Sequence, residues 1–95
     1  MRVGLLVIEL FLPGCASLKD KRRVVKSLKD RIRNHFNVAV AEVGDHQLWQ
    51  KAHLGVCTVS ADRRDANARL DQVANFVERL QVAADMDIRI EMLNL

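Results

Sequence analysis

The order in which six periodic segments follow one another limits what this 95-residue chain can fold into. Four segments have the apolar content or the two-residue alternation of strands, and two repeat apolar residues at helical spacing. From the first residue onward, the order is strand, helix, strand, strand, helix, strand. The predicted strands are 2–12, 38–43, 53–60 and 87–93, and the predicted helices are 17–36 and 62–81.

The first strand and the two helices have the clearest signals. The stretch RVGLLVIELFL is almost wholly apolar, which indicates a central strand, and Pro13-Gly14 ends it. Ser17 and Asp62 are residue types that commonly precede a first helical turn. Each helix has one apolar face, made of Leu18, Val25, Leu28, Ile32 and Phe36 in the first helix and of Ala66, Leu70, Val73, Val77 and Leu80 in the second.

The order β-α-β-β-α-β is that of a ferredoxin-like α+β domain. Because crossover connections are right-handed, both helices should lie on one face of a four-stranded antiparallel sheet with strand order 4-1-3-2. Residues 1–95 then form a single domain. The loops 13–17 and 44–51 meet at the same end of this sheet, so a composite site is expected there.

Positive charge is concentrated in the first predicted helix. The segment Ser17–Phe36 holds eight of the 15 Lys and Arg residues and two of the 12 acids, so it carries +6 while the rest of the chain carries −3. Five cations follow one flank of the apolar face: Lys19, Arg22, Lys26, Lys29 and Arg33. A line of like charges suits a phosphate backbone, although a solvated helix face can have the same composition.

The start of this helix is a second candidate site. Free amides of a first turn, the Ser17 hydroxyl and the ammonium groups of Lys19 and Lys21 together suit a phosphate or a carboxylate. Lys21 falls within the apolar sector of the helix, so it could instead extend past the edge of the sheet. The chain has no glycine-rich phosphate-binding loop.

The loop sequence GDHQLWQK brings together a carboxylate, an imidazole and an indole, those of Asp45, His46 and Trp49. No nucleophile lies at a meaningful spacing from them, so we predict a loop for a partner or ligand and no catalytic residue. Trp49 would either cover the edge of the core or serve as a stacking platform.

Other chemistries lack support in the sequence. No pair of histidines or cysteines has zinc-ligand spacing, and no cofactor motif is present, so neither a metal nor a cofactor is predicted. Cys15 and Cys57 are expected to be reduced thiols of a cytoplasmic protein. No apolar stretch is long enough to span a bilayer, so no membrane partner is predicted.

The apolar composition of the first strand also predicts self-association. Val3, Leu5, Val7 and Phe11 would lie on the sheet face opposite the helices. Such a face is too apolar for a free monomer. We therefore expect a homodimer formed by sheet stacking or by edge pairing.

Three segments of the chain, SLKDKRRVVKSL, FNVAVAEV and LWQKAHLGV, resemble the YlxP-like family of bacterial proteins of unknown function. The resemblance implies a ferredoxin-like fold and a cytoplasmic protein. Family genes often neighbour genes for transcription elongation, translation initiation and ribosome maturation, which implies an RNA or ribosome setting. The motif positions present here are Ser17, Leu18, Lys19, Asp20, Lys21, Arg22, Glu42, Trp49 and Gln50; Gln47 stands where the family pattern has an acid.

We therefore predict a non-enzymatic domain that binds RNA or a ribosome through the basic flank of its first helix. The sequence is also compatible with two alternatives. The protein could be an adaptor or dimerisation module for protein partners, or it could bind a small anionic ligand where the segment Ser17–Lys21 meets the loop Asp45–Trp49.

Overall fold

The computed structural model describes every residue from Met1 to Leu95. Its elements follow the predicted order, with β1 at Arg2–Phe11, α1 at Leu18–His35, β2 at Ala39–Gly44, β3 at Lys51–Ser60, α2 at Arg63–Leu80 and β4 at Asp85–Asn94. The four strands form one antiparallel sheet in the order β2-β3-β1-β4, which is the predicted order read from the other edge. The ferredoxin-like fold is confirmed.

One face of the sheet and the apolar faces of both helices form a single core. Along β1 and β3 the even-numbered residues are buried except Arg2 and Ser60 at the strand ends, and the odd-numbered ones are mostly half-buried on the opposite face. This alternation follows from the period of two in a strand. The buried cluster includes Leu6, Ile8, Leu10, Leu54 and Val56 from the sheet, Val25, Leu28 and Ile32 from α1, and Leu70, Val73 and Val77 from α2.

Side-chain caps fix where both helices begin. The Ser17 hydroxyl accepts a hydrogen bond from the Asp20 amide at 3.1 Å, and the Asp20 carboxylate accepts one from the Ala16 amide at 3.0 Å. The two bonds form a reciprocal cap of the capping-box type. At α2, Asp62 accepts from the amide of Arg64 at 2.9 Å.

The three loops at one end of the sheet are tied to one another. The side-chain amide of Gln50 donates to the carbonyl oxygens of Pro13 and Cys15, both at 3.3 Å. The connection between α2 and β4 joins the same end, because the Ala84 amide donates to the carbonyl of Phe11 at 2.9 Å. The predicted meeting of these loops is therefore confirmed, and it places the start of α1 beside the β2–β3 loop.

Candidate nucleic-acid interface and the loop end of the sheet

The basic flank, defined as Lys19, Arg22, Lys26, Lys29 and Arg33, lies along the solvent side of α1. All of these side chains are exposed except that of Lys29, which is half-buried. The flank borders the edge strand β2, where the guanidinium of Arg33 donates to the carbonyl oxygen of Val40 at 3.0 Å. α1 holds these cations in line because it is an unbroken helix of 18 residues.

Asp30 is the only acid that pairs with the basic flank. Its carboxylate lies 2.8 Å from the ammonium of Lys26 and 3.4 Å from the guanidinium of Arg33. The hydrogen bond from Lys26, with the nearby positive charges, holds the pKa of Asp30 below its ordinary value. The carboxylate is therefore charged at neutral pH, and these pairs weaken only as the pH falls through that lowered pKa. Lys19, Arg22 and Lys29 form no ion pair.

Lys21 does not belong to any exposed site. Its side chain is 2% exposed, and its ammonium lies 3.0 Å from Oε2 of Glu42 on β2. The ammonium also donates to the carbonyl oxygen of Asp45. Oε2 of Glu42 is buried, and the Lys21 ammonium is its only charge partner. Lys21 therefore joins α1 to β2 and the following loop, and it is not free to bind a ligand as the sequence suggested.

The other members of the predicted anion site are also engaged or isolated. The Ser17 hydroxyl and the Asp20 amide are used in the helix cap, and the Asp20 carboxylate adds negative charge at the first turn. That carboxylate satisfies the helix dipole that an anion would otherwise satisfy. Lys19 alone keeps an exposed, unpaired ammonium there, and it continues the basic flank. The structure thus does not bring Ser17, Lys19 and Lys21 together around one ligand position.

The β2–β3 loop turns sharply at Asp45, whose φ of 58° lies in the left-handed region. Aspartate is among the few residues that adopt this conformation readily. Its carboxylate lies 3.7 Å from the ammonium of Lys51, which is 3.9 Å from the carboxylate of Glu9 on β1. Asp45 is thus part of a small charge network at the loop end, with its carbonyl bound to Lys21.

The remaining loop residues are separated in role. The imidazole of His46 lies 3.2 Å from the carbonyl oxygen of Glu42, at the outer edge of β2. The Trp49 indole is 52% exposed, and neighbouring Leu48 is exposed as well. Trp49 borders an open concave surface with Phe11 and Lys51. It does not cover the core, so it remains a candidate contact for a partner.

The predicted dimer face is the sheet face that no helix covers. Val3, Leu5, Val7 and Phe11 lie there and are half-buried by their neighbours on the adjacent strands. Charged side chains of β4 lie on the same face, because Glu91 and Arg89 are the register partners of Leu5 and Val7. Self-association through this face stays a prediction.

Sequence reasoning missed two polar contacts that join helices to the sheet. The Lys21–Glu42 ion pair is the first. The second is the hydrogen bond from Arg69 on α2 to the hydroxyl of buried Thr58 on β3, at 2.6 Å. Lys21 at an apolar helix position and Glu42 in an apolar strand were signals for the first contact. The second had no comparable signal.

Neither helix is both long and apolar enough to cross a membrane. Among solved structures, the fold is similar to a de novo designed protein, LFR1 1, with a ferredoxin fold (TM-score 0.57, 10% identity, covering 100% of this chain and 87% of that one). It is also similar to an antibiotic biosynthesis monooxygenase (TM-score 0.53, 9% identity, covering 98% and 97%). At such identities the likeness shows the fold alone.

The family comparison covers nearly the whole chain. The model of a protein family of unknown function, DUF503, matches residues 3–90. The uncharacterized protein YlxP of Bacillus subtilis (strain 168) is 33% identical over 76 residues, which are 80% of this chain and 83% of that protein. The chain therefore belongs to the DUF503 family, together with YlxP, and no function is established for that family.

Proposed function

We propose that this protein is a non-enzymatic cytoplasmic domain that binds RNA, free or within a ribosome, through the basic flank of α1. One observation carries the proposal: five cations lie in line on the solvent side of α1, and one carboxylate is all that pairs with them. A helix under pressure for stability alone would gain from alternating charges, since like charges three and four residues apart repel one another.

The dimensions of the basic flank suit a single nucleic-acid strand. From Lys19 to Arg33 the helix rises about 21 Å at 1.5 Å per residue. At 3.4 Å of axial rise per nucleotide, that length corresponds to roughly six nucleotides. Asp30 offsets one of the five positive charges, so about four phosphates would be neutralised. No aromatic side chain belongs to the flank, so binding should depend on charge and only weakly on sequence.

The salt dependence of binding tests this directly. A fluorescently labelled single-stranded RNA oligonucleotide should bind with a log–log salt slope of about −3, from four contacts at 0.7 each. Arg22→Glu with Lys29→Glu removes two cations that have no acid partner. The double variant should bind about 25-fold more weakly in 0.1 M salt. The magnitude of its salt slope should fall from about 3 to about 1.4 or less.

A matched control separates the basic flank from net charge. Arg63→Glu with Arg64→Glu changes the charge of exposed residues on α2 by the same amount. Acids are favoured in a first helical turn, so this variant should fold and bind RNA within a few-fold of the original protein. Equal weakening by both double variants would show that only net charge matters. Failure of the unaltered protein to bind RNA at low salt would refute the proposal.

A protein partner is the second candidate, and exposed Leu48 and Trp49 favour it. Tryptophan is one of the residue types that most often anchor a protein interface. Capture from native lysate, with and without ribonuclease, separates the two candidates. Partners lost after ribonuclease treatment support RNA binding. Partners that survive ribonuclease but are lost in Trp49→Ala support protein binding.

A further inference from the structure

The two edges of the sheet differ in whether their hydrogen-bonding groups are already occupied. In β2 the carbonyl oxygens of Val40 and Glu42 face outward, and they are covered by Arg33 at 3.0 Å and by the imidazole of His46 at 3.2 Å. β2 is also short, and its register is interrupted by an irregularity near its end. Covered, short and irregular edges resist pairing with another chain.

The β4 edge has almost no such protection. The Leu12 amide donates to the Gln50 carbonyl, so the even-numbered residues of β1 direct their backbone hydrogen bonds toward β3. The Leu95 amide donates to the Met1 carbonyl, so the odd-numbered residues of β1 direct theirs toward β4. In the β1–β4 register, odd residues pair with odd residues. The even residues of β4 therefore direct their N–H and C=O groups outward. Only the first of these amides, that of Met86, has a partner: the Asp85 carboxylate at 2.8 Å.

We propose that β4 pairs with β4 of a second copy of this chain, antiparallel about a two-fold axis at Ile90, to form a continuous eight-stranded sheet. Arg89 and Glu91 already pair within one chain at 3.1 Å. This register also matches Arg89 of each protomer with Glu91 of the other, so that the two pairs join into one four-charge network of alternating sign. On the helix side it matches Ile88 with Met92 and Ile90 with its own copy. Ile88 is 40% exposed in the single chain and would gain apolar contacts.

Neighbouring registers are disfavoured by charge. An axis at Arg89 sets that residue against its own copy and sets Asp87 against Glu91. Moving the axis to Ile88 brings Asp85 against Glu91, which offsets the favourable match of Asp87 with Arg89. Moving it to Glu91 sets that carboxylate against its own copy. Like charges directly opposite each other on paired strands are destabilising. The axis at Ile90 is the one among these four that brings together only opposite charges, and it also uses the whole length of β4.

The dimer is independent of the proposed RNA interface. α1 packs against β2, whereas β4 lies at the other edge of the sheet. The basic flanks of the two protomers would therefore lie far from the two-fold axis and stay uncovered. Loss of dimerisation would not in itself remove an RNA-binding surface, so the two proposals can fail separately.

Charge reversal and charge exchange test the register. Arg89→Glu and Glu91→Arg each place like charges opposite each other twice, and each should weaken dimerisation about 10- to 100-fold. The combined exchange, Arg89→Glu with Glu91→Arg, restores both opposite-charge pairs and should restore the dimer. Sedimentation equilibrium reports the mass against 10.8 kDa for one chain. Circular dichroism checks that each variant is folded.

Amide hydrogen exchange provides a second readout, because it distinguishes the even-numbered residues of β4, which face outward, from the odd-numbered ones, which face β1. In the dimer, the outward amides of Ile88, Ile90 and Met92 should be protected, and in Arg89→Glu they should exchange quickly. The amides of Arg89 and Glu91 bond to β1 and should stay protected in both. A monomer at high micromolar concentration, or a dimer unaffected by either single reversal, would overturn the proposal. Val59 of β3 is 58% exposed on the uncovered sheet face. A dimer dissociated by Val59→Glu but not by Arg89→Glu would also overturn the proposal, in favour of sheet stacking.

Discussion

Replacing Lys21 with methionine tests whether the buried ion pair holds α1 against β2. The substitution keeps an unbranched side chain of similar length but removes the charge opposite Glu42 and the hydrogen bond to Asp45. Removing one member of a buried pair costs about 3–5 kcal/mol when the remaining charge stays buried. The Glu42 side chain is 19% exposed and can take up water, so we expect a smaller cost, about 2–3 kcal/mol, just below that range.

Urea unfolding followed by circular dichroism measures this loss. It corresponds to a fall in Tm of roughly 10–20 °C for a domain of this size. Comparisons should be made at one protein concentration, because dimerisation would contribute to stability. Removing both charges, in Lys21→Met with Glu42→Leu, should recover stability to within about 1 kcal/mol of the original protein. The reasoning would be refuted if Lys21→Met cost under about 0.5 kcal/mol, or if the two single losses simply added.

Two further predictions concern the basic flank and the thiols. Asp30→Asn removes the acid that pairs with Lys26 and Arg33, and it should strengthen RNA binding about five-fold in 0.1 M salt. The matched change Asp71→Asn on α2 should have little effect. Equal gains from both variants would contradict a role for the basic flank. Cys57 on the uncovered sheet face should react with a thiol reagent in the native protein. Cys15 should react only on unfolding, because burial shields its thiol and raises its pKa. Equal reaction rates of the two thiols in the native protein would show that the packing around Cys15 is looser than described.

The arrangement of elements could be predicted from the sequence because each element carries its own periodicity. Strand ends were less accurate: β3 begins at Lys51 and β4 at Asp85, two residues before the predicted starts at 53 and 87. Both of these polar residues are register partners of Phe11, on the uncovered face of the sheet. A strand predicted from its apolar residues is too short where its solvent-facing residues are polar, because the backbone pairing continues beyond the apolar pattern.

The role of Lys21 required information that periodicity does not contain. The helix pattern correctly placed this residue in the apolar sector. Its partner, however, depends on the position of α1 along β2, which the pattern does not determine. Only in the folded structure is Glu42 seen to lie 3.0 Å from the ammonium. The basic flank is the opposite case, since the exposure of residues on one side of a helix follows from spacing alone. The same spacing places Asp30 next to Lys26 and Arg33, and the structure adds that its carboxylate pairs with both.

Edge pairing and sheet stacking have different consequences for the surfaces that remain available. Pairing through β4 leaves the uncovered sheet face, including Cys57, open to solvent, whereas stacking would bury it. The reactivity of Cys57 in the native dimer therefore distinguishes the two arrangements without any substitution. The basic flank borders β2, whose edge is covered, and β4 with its free edge lies on the far side of the sheet. Two protomers can therefore pair through β4 and still present one basic helix at each end of the dimer. An RNA strand long enough to reach both helices would then bind the dimer more tightly than it binds Arg89→Glu, whereas one of about six nucleotides would bind both equally.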